Sequence, residues 1–146
     1  MMTAVSHMPG HLIRRLHQIS TQIFMQRVRE AGHDLTPVQF AALDALRHAP
    51  GIDQASLADA VAKDRATIGA VVDRLVQKGL VARSENRRDR RARILRLTPK
   101  GEDLVAVLTP LIEGFQAEIL AHLDEEERRL FVSLAAKATA GRGGQL

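Results

Sequence analysis

The stretch NRRDRRARILRLTPKG, from Asn86 to Gly101, packs six arginines into the ten residues from Arg87 to Arg96. Between Arg83 and Arg96 there are seven arginines against two acids, Glu85 and Asp89, giving this segment a charge of +5 in a chain whose total is +4. Guanidinium groups at that density repel one another unless a polyanion neutralises them, and nucleic-acid phosphate is the counter-charge that fits. A second cluster lies near the start, in HMPGHLIRRLHQIS. There His7, His11, Arg14 and Gln18 recur at spacings of four, three and four, with Arg15 and His17 beside them.

An arginine among imidazoles suits a small aromatic carboxylate. The guanidinium grips the carboxylate bidentately, and the imidazoles hydrogen-bond a ring hydroxyl or ring nitrogen. The same row also reads as an ordinary solvated helix face. A divalent cation between His7 and His11 is a third reading, but Pro9 and Gly10 interrupt a regular helical pair and no carboxylate stands close in sequence, so no metal site is expected.

Other chemistry is poorly supplied. The chain has no cysteine, which removes disulfides, thiol switches and Cys-ligated zinc. It has no Gly-rich phosphate loop, no HExxH and no convincing pair of carboxylates, and Ser84 with the six histidines forms no triad pattern. Catalysis and a cofactor are therefore not expected. No apolar run approaches the roughly 18 residues of a membrane span. The start lacks the apolar region of a secretory signal, so the cytoplasm is the expected compartment and no membrane partner is foreseen.

The elements that must carry these clusters can be read from periodicity and caps. The 146 residues, 45% of them hydrophobic, suit one unit with its own core. With four Phe and no Tyr or Trp, that core must be built from Leu, Ile, Val and Ala, a mix that favours helices. Pro9 to Ala31 predicts a helix with Leu12, Leu16, Ile19 and Ile23 on one stripe, widened by Ile13, Phe24 and Val28, and stopped at Gly32. Thr36-Pro37-Val38-Gln39 is a capping box that opens a second helix, with Phe40, Leu43 and Leu46 inward, ending at Ala49-Pro50-Gly51.

A short helix capped by Asp53 carries Leu57, Ala58 and Val61. After a three-residue gap, Asp64 caps another, with Ile68, Val71, Val72, Leu75 and Val76 leading to Gly79. So tight a join predicts a helix-turn-helix. The period then drops to two, and Val81 to Ser84 with Arg93 to Leu97 predicts a hairpin whose polar tip is Glu85 to Ala92. Thr98-Pro99 caps a long helix expected to reach about Leu123, with Leu104, Leu108, Leu111, Phe115 and Ile119 on its stripe and a kink at Pro110. Asp124 caps a last helix bearing Leu130, Phe131 and Leu134.

The fold class expected is mainly α with a small β-hairpin wing. A winged helix-turn-helix lobe spans 36–97, and terminal helices at 9–31 and 99–140 form a dimerisation region, all within a single unit of 1–146. In such a lobe the second helix of the motif enters the major groove, and the hairpin reaches flanking backbone or minor groove. Arg65 is then a reader of guanine, and Thr67 contacts a thymine methyl or a phosphate. Gly69 permits close approach. Arg74 meets phosphate or is paired by Asp73 or Asp59, while Arg87, Arg88 and Arg90 are phosphate contacts.

The run DRATIGAVVDRLVQKGLVARSENRRDRRARILRLTPKG resembles the MarR family of winged-helix transcriptional regulators. The Lys78-Gly79-Leu80-Val81 entry, the Asp89-Arg90-Arg91 tip, the Leu97-Thr98 exit and the Lys100-Gly101 pair carry the likeness. The resemblance implies a homodimer with interlocked terminal helices on palindromic double-stranded DNA. It also implies that Arg91 is the minor-groove arginine of the wing, held by Asp89 or Asp73. The segment PGHLIRRLHQ is similar to the members that sense intermediates of aromatic breakdown, which assigns the carboxylate of an aromatic acid to Arg14, with His11 and His17 as neighbours. The function this implies is a homodimeric repressor released from its operator by such an acid. The alternative from another class is a sequence-indifferent architectural DNA-binding protein with no small-molecule input.

Overall fold

The computed structural model describes residues 3–61, 63–85, 88 and 93–141. Six helices and one hairpin follow in chain order: α1 (Pro9–Glu30), α2 (Pro37–His48), α3 (Gln54–Ala60), α4 (Arg65–Gln77), β1 (Val81–Glu85), β2 (Arg93–Leu97), α5 (Pro99–Ile119) and α6 (Glu125–Thr139). The expected caps are all in place. Thr36 and Asp124 close reciprocal capping boxes with Gln39 and Glu127. Asp53, Asp64 and Thr98 each accept from the backbone N–H three residues on. Each satisfies a helix-terminal donor that would otherwise be unbonded.

β1 and β2 pair antiparallel in the register Val81↔Leu97 through Glu85↔Arg93. A third extended piece, not foreseen, lies on the other edge of β2: Leu95 N donates to Ile52 O, Gly51 N donates to Leu95 O, and Asp53 bridges to Ile94. The hairpin is thereby stitched to the start of α3.

The core is filled from α2 (Ala42, Leu43, Leu46), α3 (Leu57, Ala58), α4 (Ile68, Val72, Leu75) and β2 (Leu95). α5 adds Val105, Leu108 and Phe115. α1 joins it only through its second half, where Phe24 and Val28 are buried. Phe24 meets Phe115 edge-on at 5.9 Å and Phe40 at 6.3 Å, separations at which aromatic pairs attract. Arg27 then clamps α1 to α5, donating through Nε and Nη2 to Glu118 and through Nη1 to Glu30. The Arg27 bond holds the Glu30 carboxyl below the usual carboxylate range.

One expectation changes here. α5 stops at Ile119, short of Leu123, because the extended backbone that Asp124 needs as an N-cap (φ −74°, ψ 175°) requires the preceding helix to end upstream. The stripe foreseen on α1 is buried only at its C-terminal end: Leu12, Ile13 and Ile19 are exposed, and α6 buries no residue at all. Pro110 sits inside α5 on its exposed side, as does Ala106, whose carbonyl loses its partner to the proline ring.

Candidate nucleic-acid interface

α4 is amphipathic in the way a groove-reading helix must be. Ile68, Val72 and Leu75 are fully buried, while Arg65, Ala66, Thr67, Ala70, Asp73, Arg74 and Gln77 are exposed. Asp64 fixes its first turn, accepting from Thr67 N at 2.8 Å and from Thr67 Oγ1 at 2.7 Å. A hydroxyl whose proton goes to Asp64 has none left for a phosphate, which leaves the methyl group as the part of Thr67 not engaged. The backbone N–H of Thr67, and next its hydroxyl, hold the Asp64 carboxyl below the usual range. The Asp53 carboxyl is held down first by the backbone N–H of Ser56, and the charge of Arg65 adds to this. The start of α3 and the exposed first turn of α4 are therefore electrostatic neighbours.

The other end of α4 is locked to α5. Thr98 Oγ1 donates to Gly79 O at 2.6 Å, Thr98 N to Leu80 O at 3.0 Å, and Lys100 Nζ to Lys78 O at 3.0 Å. A Cβ on Gly101 would lie 2.2 Å from Leu80 O, so only glycine lets α5 pass this close. Lys78 Nζ in turn donates to Asp34 O in the α1–α2 turn.

Of the arginines expected on DNA, Arg65 and Arg74 are exposed on α4 and Arg88 is exposed at the hairpin tip. Arg87, Arg90 and Arg91, with Asp89, lie outside the described residues. Arg74 pairs with neither Asp73 nor Asp59; its Nη1 donates to Gln77 Oε1 at 3.3 Å. Asp73, offered above as a holder of Arg91, accepts from Arg83 Nη2, which ties β1 to α4. Gly69 is half-buried, and a Cβ there would stand 3.4 Å from Gln54 Nε2. Its open side thus faces α3. Neither Gln54 nor the Arg83–Asp73 pair was legible beforehand, because each depends on which elements pack together.

On α1, Arg14 Nη2 donates to His11 Nδ1 at 3.1 Å, and His7, Arg14 and His17 are exposed. His11 and Arg15 line a cleft of about 530 Å³ between α1 and the α5–α6 turn. His122, which the sequence did not single out, lines it too, with Leu16, Ile119 and Phe131 among its apolar walls. The row is therefore split: His11 and Arg15 face a cavity, while Arg14 reaches it only through its bond to His11. Among the described residues no group of three or more His, Cys, Asp or Glu is placed to hold a metal, and no helix is long and apolar enough to cross a membrane.

Residues 33–92 match the sequence profile of the MarR family. The chain is 35% identical to the transcriptional regulator HosA of Escherichia coli O157:H7 over 127 residues, covering 85% of this chain and 93% of HosA. It is 37% identical over 134 residues to the HTH-type transcriptional repressor NicR of Pseudomonas putida, covering 91% of this chain and 83% of NicR. Among solved structures it is similar to Bordetella bronchiseptica BpsR, whose DNA binding is regulated by 6-hydroxynicotinic acid. That match has a TM-score of 0.85 at 33% identity and covers 97% of this chain and 99% of BpsR. Relatives named as regulators and repressors disfavour the architectural alternative.

Proposed function

The chain belongs to the MarR family of transcriptional regulators, and on that premise we propose that it is a homodimeric repressor that binds a palindromic operator and is released by a small aromatic carboxylic acid. The lobe of residues 36–97 carries the DNA contacts, with Arg65, Thr67 and Gly69 at the major groove and Arg74, Arg87, Arg88 and Arg90 on phosphates. Arg91 enters the minor groove. The helices at 9–31 and 99–140 join two copies, which sets the recognition helices roughly 34–36 Å apart, one turn of DNA.

One observation carries this reading, the division of the surface. The exposed polar face of α4 lies beside the arginine hairpin, and the exposed large apolar side chains among the described residues lie on α1 and α6, with Val5 and Met8 just before α1 and Val107 on α5. Arg14 is the carboxylate anchor, with His7, His11, Arg15 and His17 around it, and the Arg14–His11 bond supports that grouping. The acid acts by favouring lobe spacings that do not match successive major grooves, lowering DNA affinity by its preference for those spacings.

The test is fluorescence anisotropy on the duplex upstream of the chain's own gene, at ~150 mM salt with excess competitor DNA and a panel of aromatic acids. The expected result is competitor-resistant binding, tighter than non-specific binding by roughly a thousandfold. One acid should release it, and Arg14→Ala should retain DNA binding but ignore that acid. Equal affinity of the acid for free and DNA-bound protein would rule the switch out, since linkage is reciprocal.

A further inference from the structure

We propose that Gln54 is a phosphate clamp, a neutral donor that grips the DNA strand where it crosses between the recognition helix and the wing. It deepens the operator-binding reading above and rests on it. Gln54 is the first residue of α3 and follows Asp53, which is bridged to Ile94 of β2. Its Nε2 lies over Gly69 of α4, 3.4 Å from where a Cβ would be. The side chain thus occupies the seam between hairpin and recognition helix, a seam closed further along by Arg83 and Asp73.

Two facts make the carboxamide available. Gln54 is half-buried, and its carboxamide makes no hydrogen bond among the described residues. A carboxamide that is unbonded inside the protein and open to water has two donor hydrogens that water satisfies in the free chain and a phosphate can take over. DNA that takes α4 into its major groove and the wing at its flank carries a ridge of phosphates between them, and that ridge crosses this seam.

The position on α4 selects phosphate over base. Gly69 falls between fully buried Ile68 and exposed Ala70, so Gln54 sits on the shoulder of the helix. The crest that faces base edges begins with the exposed first turn, Arg65, Ala66 and Thr67, and runs on through Ala70. A glutamine on the shoulder fixes register without reading sequence. Gly69 supplies the slot, since any side chain there would press on the amide.

The experiment compares wild type, Gln54→Ala and Gln54→Glu by anisotropy on the operator duplex. Each phosphate in turn is replaced by a neutral methylphosphonate, and salt is varied. Gln54→Ala should weaken binding roughly tenfold, the expected loss for a hydrogen bond to a charged group. The slope of log affinity against log salt should not change, because a neutral amide releases no counterion, whereas Arg74→Ala, the loss of a charged phosphate contact, should lower that slope by about one. One methylphosphonate per half-site should weaken wild type and leave Gln54→Ala indifferent, and Gln54→Glu should bind less well than Gln54→Ala.

Affinity of Gln54→Ala within twofold of wild type overturns the clamp. So does an equal loss at every neutralised phosphate, or relaxed preference at a single base pair, which would make Gln54 a base reader. In each of those cases wild type still binds its operator and that reading stands; a wild-type chain that binds no duplex specifically removes both.

Discussion

Residues 36–97, on one side, and α6 with the first half of α1, on the other, treat the same side chains in opposite ways. In the lobe, Leu43, Leu57, Ile68, Val72, Leu75 and Leu95 are entirely buried. On the terminal helices, Leu12, Leu130, Val132 and Leu134 are 47%, 58%, 60% and 56% exposed. Both regions are amphipathic by sequence, so pattern alone does not distinguish them. The difference is whether a facing element within the chain closes on the stripe. Within residues 36–97, α2, α3, α4 and β2 close on one another; α6 and the first half of α1 face each other only across an open cleft and bury no side chain. Apolar stripes of this kind mark surfaces that another molecule covers.

Substitutions should separate the two regions. The largest cost to folding is expected in the lobe: Leu43→Ala should destabilise by about 2–5 kcal/mol, through lost burial and the cavity left behind, measured by denaturant unfolding. An equally costly truncation at Leu134 would erase the contrast. Leu130→Glu with Leu134→Glu should change the stability of each protomer by only about 0.5 kcal/mol per site, as is usual for exposed positions. The same pair should shift sedimentation to the 16.1 kDa single chain and weaken operator binding, because two half-sites are no longer held together. Unchanged assembly would show that α6 is not part of the contact.

The smallest effect concerns acid. Asp53 and Asp64 have carboxyls held below their ordinary range. Each stabilises the fold fully above its unfolded pKa, about 3.9, and that contribution is lost as pH falls through the lower folded value. Thermal melts should therefore be flat from about pH 7 to 5 and fall below about pH 4. Asp64→Asn keeps a competent cap but cannot titrate, so its acid limb should be shallower. A limb of unchanged steepness would mean that the lobe's caps do not set its acid response.

What could be read beforehand was local. Every helix cap from Thr36 to Asp124 depends on residues three apart, and the hairpin showed itself as a change of period, so these needed only short stretches of chain. The features that escaped are contacts across sequence. The strand-like Ile52–Asp53 edge needs β2 beside it, and the Arg83–Asp73 pair needs β1 against α4. Gln54 over Gly69 needs the α3–α4 crossing, and His122 in the α1 cleft needs the turn after α5. Nor does the stripe on α1 say that Phe24 is buried while Leu12 is not, because both satisfy the same period. The arginine cluster was legible as chemistry, although most of its tip lies outside the described residues.

The lock at Gly79, Leu80, Thr98 and Gly101 makes α4 and α5 one mechanical piece. α5 has 21 residues, and at 1.5 Å per residue it is an arm about 31 Å long. A tilt of about five degrees at its far end, where Ile119 lines the α1 cleft, sweeps the near end through roughly 3 Å, nearly the 3.4 Å rise of a base pair along each strand. A disturbance too small to break any contact around that cleft would thus reach the exposed face of α4 magnified to the scale on which a double helix keeps its own register.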